Sequence, residues 1–332
     1  MSETRHNVLV TRDRIDASAV SLLADNGYDC VFSPPYTAPA DVVALAREKK
    51  ISAIMVSQGK ITEEVIAASD RLKVIAKHGS GVNNINLRAA QAHGIPVFRA
   101  VGANARAVAE HAITLMLALR KSLPHLDQAT KEGRWLKGSF IGRDIQGTRL
   151  GLIGMGVIGR ETAAMARALG MRVTAFDPAL RSADVTDDDF ELCDSLDTLI
   201  ASSDIVSLHC PLLPSTRHMV DAAFLSKMQS HAVLVNTARG GIIDEAALDD
   251  ALRQGEIAGA GVDSFEAEPP QSDHPLFMAP NLIVTPHAAG LTPGAERAMA
   301  TMAAQFIMDT IAGKDVPAEY RAEADALGGL TE

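Results

Sequence analysis

The chain of 332 residues is long enough for two domains of ordinary size with well-buried cores, and too short for three. With 47% hydrophobic and 22% charged residues it reads as globular, and no apolar run nears the roughly 20 residues a membrane helix requires. A formal charge of -10, with no basic cluster interleaved with aromatics, argues against nucleic acid or anionic membrane as a partner.

The three cysteines, Cys30, Cys193 and Cys210, lie far apart, with no C-x-x-C pair and no zinc spacing, and are read as free thiols. No two histidines sit at i, i+4 beside an acid on one helix face, so no metal is expected. The opening Met1-Ser2-Glu3-Thr4-Arg5 leads straight into a strand and lacks the pattern of a signal peptide, which predicts a cytoplasmic protein.

The first hundred residues alternate strand and helix. Strands are predicted at Asn7–Val10, Tyr28–Phe32, Ala53–Val56, Lys73–Ala76 and Pro96–Phe98, and helices at Asp16–Asn26, Pro39–Glu48, Thr62–Ser69 and Asn86–His93. Short apolar strands separated by amphipathic helices mean a parallel sheet covered on both faces. After the strand ending at Ala76 comes Lys77-His78-Gly79-Ser80-Gly81-Val82-Asn83-Asn84-Ile85-Asn86, a loop at the carboxyl end of a parallel strand, where open α/β sheets bind ligands. Its glycines expose consecutive N–H groups suited to a carboxylate, the alternative being a plain tight turn.

A long helix is predicted from Ala103 to Lys121, apolar nearly all round in its second half and therefore buried by another domain or another subunit. The only tryptophan, in Lys131-Glu132-Gly133-Arg134-Trp135-Leu136, marks either an arm gripping a partner subunit or a loop with one packed aromatic.

The run Arg149-Leu150-Gly151-Leu152-Ile153-Gly154-Met155-Gly156-Val157-Ile158-Gly159 reads as strand, glycine turn and helix start. Gly154 takes the tight turn, Gly156 lets the backbone approach a pyrophosphate, and Gly159 lets helix and strand pack closely. The phosphates would sit on the helix N–H groups at Val157 and Ile158, which lack partners within the helix and lie at the positive end of its dipole. The next strand, Met171 to Phe176, ends on Asp177, about 20 residues past the glycines and placed to accept both hydroxyls of an adenosine ribose. That favours NAD over NADP, with Arg181 leaving some NADP use open. The competing role for Asp177 is a turn residue before Pro178.

Further strands are predicted at Asp204–Leu208, Ala232–Val235, Ala258–Val262 and Leu282–Val284, making six with the two already placed. Helices are predicted at Asp221–Lys227 and Glu245–Gln254, and a last helix, Ala295–Ile311, is inferred to return to cover the first sheet. Three loops at strand ends carry ionisable groups: Asn236-Thr237-Ala238-Arg239-Gly240-Gly241, Asp263-Ser264-Phe265-Glu266-Ala267-Glu268-Pro269 and Thr285-Pro286-His287-Ala288-Ala289-Gly290. The planar fork of Arg239 suits a carboxylate, His287 suits proton transfer near neutral pH, and Glu268 beside that imidazole makes an oriented acid/base pair. Each has a plainer alternative: a surface ion pair, a satisfied loop histidine, a solvated turn residue.

From Lys73 to Gly290 the chain resembles the D-2-hydroxyacid dehydrogenase family, and within it the phosphoglycerate dehydrogenase and hydroxypyruvate reductase group. The resemblance runs through KHGSGVNNIN, VGANARAVAEHAITLMLALRK, GLIGMGVIGR, HCPLLPSTRHMV, NTARGGIIDE, GVDSFEAEP and TPHAAG. It implies Arg239, Glu268 and His287 as the catalytic trio, with Arg239 and His287 also touching substrate. Asp263 would orient the nicotinamide carboxamide, and Cys210, Pro211, Thr237, Ala238 and Gly290 would line the cofactor. The Ser80-Gly81-Val82 backbone would hold the substrate carboxylate, with Ser80 also near the nicotinamide. Asn83 stands where the family often carries Asp, and Ser57-Gln58-Gly59-Lys60 lacks the arginine that phosphoglycerate-type members present, which leaves Lys60, Arg99 or Arg106 to take over. The tail after Gly313 departs from the family and leaves no room for an appended regulatory domain.

The expectation is therefore two doubly wound α/β domains. A Rossmann NAD-binding domain, residues 103–291, is inserted into a flavodoxin-like substrate domain, residues 1–102 plus 292–332, with the active site in the cleft between them. The expected function is NAD-dependent interconversion of a small 2-hydroxy acid and its 2-keto acid: glycerate and hydroxypyruvate, 3-phosphoglycerate, or a related acid such as a sulfonated one. A homodimer through the helix after Gly102 is expected. The alternative from another class is an NAD(H)-sensing binding protein of the corepressor type.

Overall fold

The computed structural model describes residues 5–181 and 190–323. The sequence readings at the extreme N-terminus, residues 1–4, and in the last part of the tail, residues 324–332, lie outside the described residues. The chain divides into two compact units, Met1–Asn104 with Leu291–Glu332, and Ala105–Gly290. Among the described residues no helix is long and apolar enough to cross a membrane.

The first unit holds β1 (His6–Val10), α1 (Ala17–Asp25), β2 (Tyr28–Phe32), α2 (Pro39–Glu48), β3 (Ala53–Val56), α3 (Glu63–Ile66), β4 (Val74–Lys77), α4 (Leu87–Ala92) and β5 (Val97–Arg99). All pairings are parallel, in the order β2-β1-β3-β4-β5, the doubly wound arrangement with its switch between β1 and β3. Alternation along the strands feeds two cores. Leu9, Ile54, Val56, Ile75 and Val97 face Val42, Val65 and Leu87 from α2, α3 and α4. Val8, Val10, Met55, Val74, Ala76 and Phe98 face Leu23 of α1 and a stripe from the last helix of the chain, Ala300, Ala303, Ala304 and Ile307.

The second unit holds α5 (Ala105–Arg120), α6 (Leu123–Lys131), β6 (Arg149–Ile153), α7 (Val157–Ala168), β7 (Arg172–Phe176), β8 (Glu191–Leu192), α8 (Leu196–Ser202), β9 (Ile205–Leu208), α9 (Ala222–Lys227), β10 (Val233–Asn236), α10 (Glu245–Gln254), β11 (Gly259–Val262) and β12 (Leu282–Val284). The remaining helix, α11 (Pro293–Ile311), belongs to the first unit. Thr292 caps it by accepting the Ala295 N–H at 3.2 Å, and Pro293 occupies the first turn, where no N–H is needed.

The parallel sheet of the second unit runs β12-β11-β10-β9-β6-β7-β8. Its chain order reverses between β6 and β9, which makes the carboxyl ends of those strands the expected ligand crevice. The sheet has seven strands, not six. The extra one, β8, is two residues long and among the described residues pairs only with β7, too short to show any periodicity in sequence.

Two further expectations are corrected. One face of α5, with Ala112, Ile113, Leu115 and Met116, packs into the core of the helix's own unit against α7, β10 and β11, while Leu117 and Leu119 of its second half are only partly buried. Trp135 is 78% exposed, so the loop that carries it is not built around a packed aromatic.

Candidate active site

The glycine turn after β6 behaves as three different constraints. Gly154 has φ 96°, and a Cβ there would lie 2.7 Å from the Cys210 nitrogen, so side chains are excluded by both conformation and space. At Gly159 a Cβ would meet the Gly154 carbonyl oxygen at 2.3 Å, which sets how closely α7 approaches the turn. Gly156 is unlike either: a Cβ would find nothing within 4 Å.

Open space therefore lies in front of Gly156, which is the N-cap of α7 and offers no capping side chain to the N–H groups at Val157 and Ile158. An uncapped helix N-terminus facing free volume fits the pyrophosphate of a dinucleotide. At the end of β7, Asp177 accepts the Met155 N–H at 2.8 Å through Oδ2 and the Ala179 N–H at 2.9 Å through Oδ1. Each oxygen keeps a second lone pair, so the carboxylate shapes the glycine turn and still has capacity for ribose hydroxyls.

At the neighbouring strand ends, Cys210 follows β9 directly against Gly154, and burial pushes its thiol up to about 11. The preceding His209, held by its N–H to the Ile153 carbonyl at 2.7 Å, has its pKa lowered to about 4 by burial. The Pro211 carbonyl accepts the Thr216 hydroxyl at 2.7 Å. Two buried hydroxyls at the ends of β10 and β11, Thr237 Oγ1 and Ser264 Oγ, have no hydrogen-bond partner among the described residues. Orphaned polar atoms on the edge that the glycine turn opens onto are what a site shaped for a polar cofactor leaves behind.

The three ionisable loops converge in the second unit. His287 Nδ1 lies 2.7 Å from Glu268 Oε2, and Glu268 Oε1 accepts the Phe265 N–H at 3.0 Å. Burial would raise the Glu268 carboxyl, but the imidazole, the Phe265 N–H and the charge of Arg239 outweigh it and hold the group below the usual carboxylate range. Burial lowers the pKa of the Arg239 guanidinium while Glu268 opposes that, and Arg239 Nη1 donates to the Ala238 carbonyl at 2.6 Å.

Two features that the sequence did not flag build this geometry. Gly240 presses against the next loop so closely that a Cβ would lie 1.9 Å from the Phe265 carbonyl carbon, and this seats the Arg239 loop on the loop that carries Glu268. Asn236, fully buried, bridges its own turn by accepting the Ala238 N–H at 2.9 Å and donating to the Arg239 carbonyl at 2.9 Å.

Asp263 does the equivalent for His287. Its Oδ1 accepts the Thr285 hydroxyl at 2.5 Å and the Ala288 N–H at 2.8 Å, and its Oδ2 accepts the Ala289 N–H at 3.0 Å. The Asp263 carbonyl accepts the His287 N–H at 2.7 Å, which holds His287 in the left-handed region with φ 52°. His111 of α5 adds a contact from Nε2 to the Thr285 hydroxyl at 3.0 Å. Gly290 closes the unit two residues after Ala288.

In the first unit, Ser80, Gly81 and Val82 lie in the loop after β4. Among the described residues none of their N–H groups donates to a backbone carbonyl, which leaves a row of donors suited to an anion.

Residues 113–289 match the family model of the D-isomer specific 2-hydroxyacid dehydrogenase, NAD binding domain. The chain belongs to the D-isomer-specific 2-hydroxyacid dehydrogenase family. Among its relatives, the D-3-phosphoglycerate dehydrogenase of Archaeoglobus fulgidus is 40% identical over 268 residues, covering 80% of this chain and 51% of that protein. The hydroxypyruvate reductase of Thermotoga maritima is 42% identical over 243 residues, covering 73% of this chain and 78% of that protein. The chain spans about half the length of the phosphoglycerate dehydrogenases it matches.

Solved structures agree on the dehydrogenase fold. A glyoxylate reductase from Paecilomyes thermophila superposes with a TM-score of 0.83 at 28% identity, covering 97% of this chain and 99% of that one. The pyruvate reductase of Chlamydomonas reinhardtii gives 0.80 at 29% identity, covering 94% and 98%.

Proposed function

We propose that the protein is an NAD-dependent 2-hydroxyacid dehydrogenase that interconverts a small 2-hydroxy acid and its 2-keto acid. The observation that carries this reading is the 2.7 Å contact between His287 and Glu268 on a loop pinned by Asp263, with Arg239 seated on the neighbouring loop through Gly240. A bound nicotinamide supplies the hydride in reduction and accepts it in oxidation.

The chain's own groups handle the proton and the charge. In oxidation His287 removes the hydroxyl proton at C2, and in reduction the protonated imidazole returns it to the C2 oxygen. Glu268 accepts from the Nδ1–H and so leaves Nε2 for that transfer. Arg239 holds the substrate carboxylate and stabilises charge developing on the C2 oxygen. The backbone N–H groups of Ser80, Gly81 and Val82 are the first unit's proposed carboxylate binders, and Asp177 is the proposed acceptor for the ribose hydroxyls. In this reading residues 103–291 form the NAD-binding domain, and residues 1–102 with 292–332 the substrate domain. Glycerate, 3-phosphoglycerate and related acids, sulfonated ones included, are the candidate substrates.

Mixing the protein with NADH and a panel of 2-keto acids while following NADH absorbance tests the reading. Consumption with at least one acid is expected. NADH binding without consumption across the panel would instead favour a nucleotide sensor.

A second copy of the chain is the proposed partner. The proposed contact is the partly buried second half of α5, with Leu117 and Leu119, and the segment after it, where Leu123, Trp135 and Ile141 are exposed. Sedimentation should give a dimer that Trp135→Ser weakens, and a monomeric wild type rejects it.

A further inference from the structure

At the carboxyl edge of the first sheet, strand ends and the loops after them carry cations: Arg12 after β1, Lys60 after β3, Lys77 closing β4 and Arg99 closing β5. Arg12 donates to Glu296 Oε2 at 2.8 Å, and Lys77 donates to the Ser57 carbonyl at 2.8 Å and to Asn84 Oδ1 at 3.0 Å. Lys60 is exposed. Arg106, which the sequence also offered as an anion binder, belongs to the other unit and pairs with Glu110 at 3.2 Å and Glu161 at 3.5 Å.

Arg99 stands apart from these. Among the described residues its Nε is buried without a hydrogen-bond partner and no carboxylate pairs with its guanidinium. A buried donor left unpaired is unfavourable, and an anion that reaches it removes the penalty.

The register places this residue. Lys77 and Arg99 are direct partners across β4 and β5. By alternation, Arg99 shares a sheet face with Val97 and Lys77 shares one with Ile75, and both apolar residues belong to the same cluster. Two cations thus stand on one face on adjacent strands, about 5 Å apart at the backbone, where like charges repel and a bound anion screens both. The next N–H along the chain, that of Ala100, donates to the Gly79 carbonyl at 2.9 Å. That bond joins the end of β5 to the loop of Ser80, Gly81 and Val82.

Resting on the dehydrogenase reading above, we propose that Arg99 is a specificity-determining residue. It binds a second acidic group on the substrate, whose first carboxylate is held elsewhere in the site. The preferred substrates are then 2-keto and 2-hydroxy acids whose far end is itself an oxyanion: a carboxylate, a phosphate or a sulfonate. Arg99 touches neither the reacting carbon nor the hydride, so its contribution is read in the choice among substrates.

The test measures kcat/KM with NADH for hydroxypyruvate and pyruvate against oxaloacetate, 3-phosphohydroxypyruvate and 3-sulfopyruvate, on the wild type, Arg99→Leu and Arg99→Lys. At least one of the three doubly acidic compounds should be preferred by the wild type, which also tells the three oxyanions apart. Arg99→Leu should collapse that preference by about 10- to 100-fold, the range expected for a hydrogen bond to a charged group, and Arg99→Lys should restore part of it. Thermal melting of each variant separates a loss of fold from a loss of selectivity, and if Arg99→Leu does not fold, Arg99→Lys alone must shift the ratio. No preference in the wild type, or equal loss for both classes of acid, overturns the role of Arg99 and leaves the dehydrogenase reading standing. A wild type that reduces none of the five acids overturns both.

Discussion

Glu268 divides its carboxylate between two tasks: Oε2 faces His287 Nδ1 at 2.7 Å, and Oε1 takes the Phe265 N–H at 3.0 Å. The second bond anchors the acid to its own loop, so the first fixes the imidazole with respect to the sheet. Glu268→Gln keeps the shape and removes the charge. In the proposed reaction it should lower kcat by ~10²- to 10³-fold, within the usual range for general acid–base catalysis. NADH affinity, read by fluorescence quenching, should stay within a factor of a few. Loss of affinity as large as the loss of turnover would assign Glu268 to the architecture of the site alone.

Arg239 and Lys are not equivalent here. The guanidinium sits in a partly desolvated position, and its proposed task is to grip a planar carboxylate while stabilising the adjacent oxygen, which a point charge does poorly. Arg239→Lys should therefore lose ~10²-fold or more in kcat/KM for any 2-keto acid reduced, despite keeping the charge. Full rescue by lysine would mean that only the sign of the charge matters.

Gly156 and Gly240 make a paired experiment, because one opens onto free space and the other onto backbone. Alanine at Gly240 would place its Cβ 1.9 Å from the Phe265 carbonyl carbon, and neither loop has a flexible side chain to give way. Gly240→Ala should cost about 1–3 kcal/mol or more in urea denaturation and most of the activity, since it pushes the Arg239 loop off the Glu268 loop. Gly156→Ala meets nothing within 4 Å. It should leave stability nearly unchanged and raise the Kd for NADH. If Gly156→Ala binds NADH as tightly as the wild type, the space in front of α7 is not where the pyrophosphate sits.

The parts of the candidate site that the sequence reveals are those tied to strand ends. The glycine turn, Asp177 and the Arg239, Glu268 and His287 loops were legible because each couples a residue type to a strand end, and the parallel alternation of the chain fixes where strand ends lie. What stayed hidden is whatever depends on close approach between distant segments. Gly240 reads as one glycine of a pair, and only the folded structure shows that its missing side chain seats one loop on another. Asn236 and Asp263 work through backbone groups of their own and neighbouring turns, which leave no periodic trace. The second half of α5 reads as apolar nearly all round, but apolarity does not say whose surface covers it, and its own sheet and α7 cover one face. Edge strand β8, at two residues, is below the length at which alternation means anything.

The buried imidazole of His78 gives a pH-dependent stability. Burial, reinforced by the positive charge of Arg12, lowers its pKa from 6.5 to about 4, so the folded chain keeps it neutral where the unfolded chain protonates it. The sign follows from proton counting: between those two values the unfolded state binds more protons, so stability falls as pH falls. The contribution is fully present above about 6.5 and is lost as the pH drops towards 4. At pH 5 the loss from this one group is about 2 kcal/mol relative to neutral pH. His78→Gln removes the titration but not the bulk, so the stability difference between wild type and variant should narrow by that amount between pH 7 and pH 5 in urea melts. A gap that stays constant across the range would mean that His78 does not titrate differently in the two states, and that Glu296, 4.0 Å from its Nε2, compensates the buried charge.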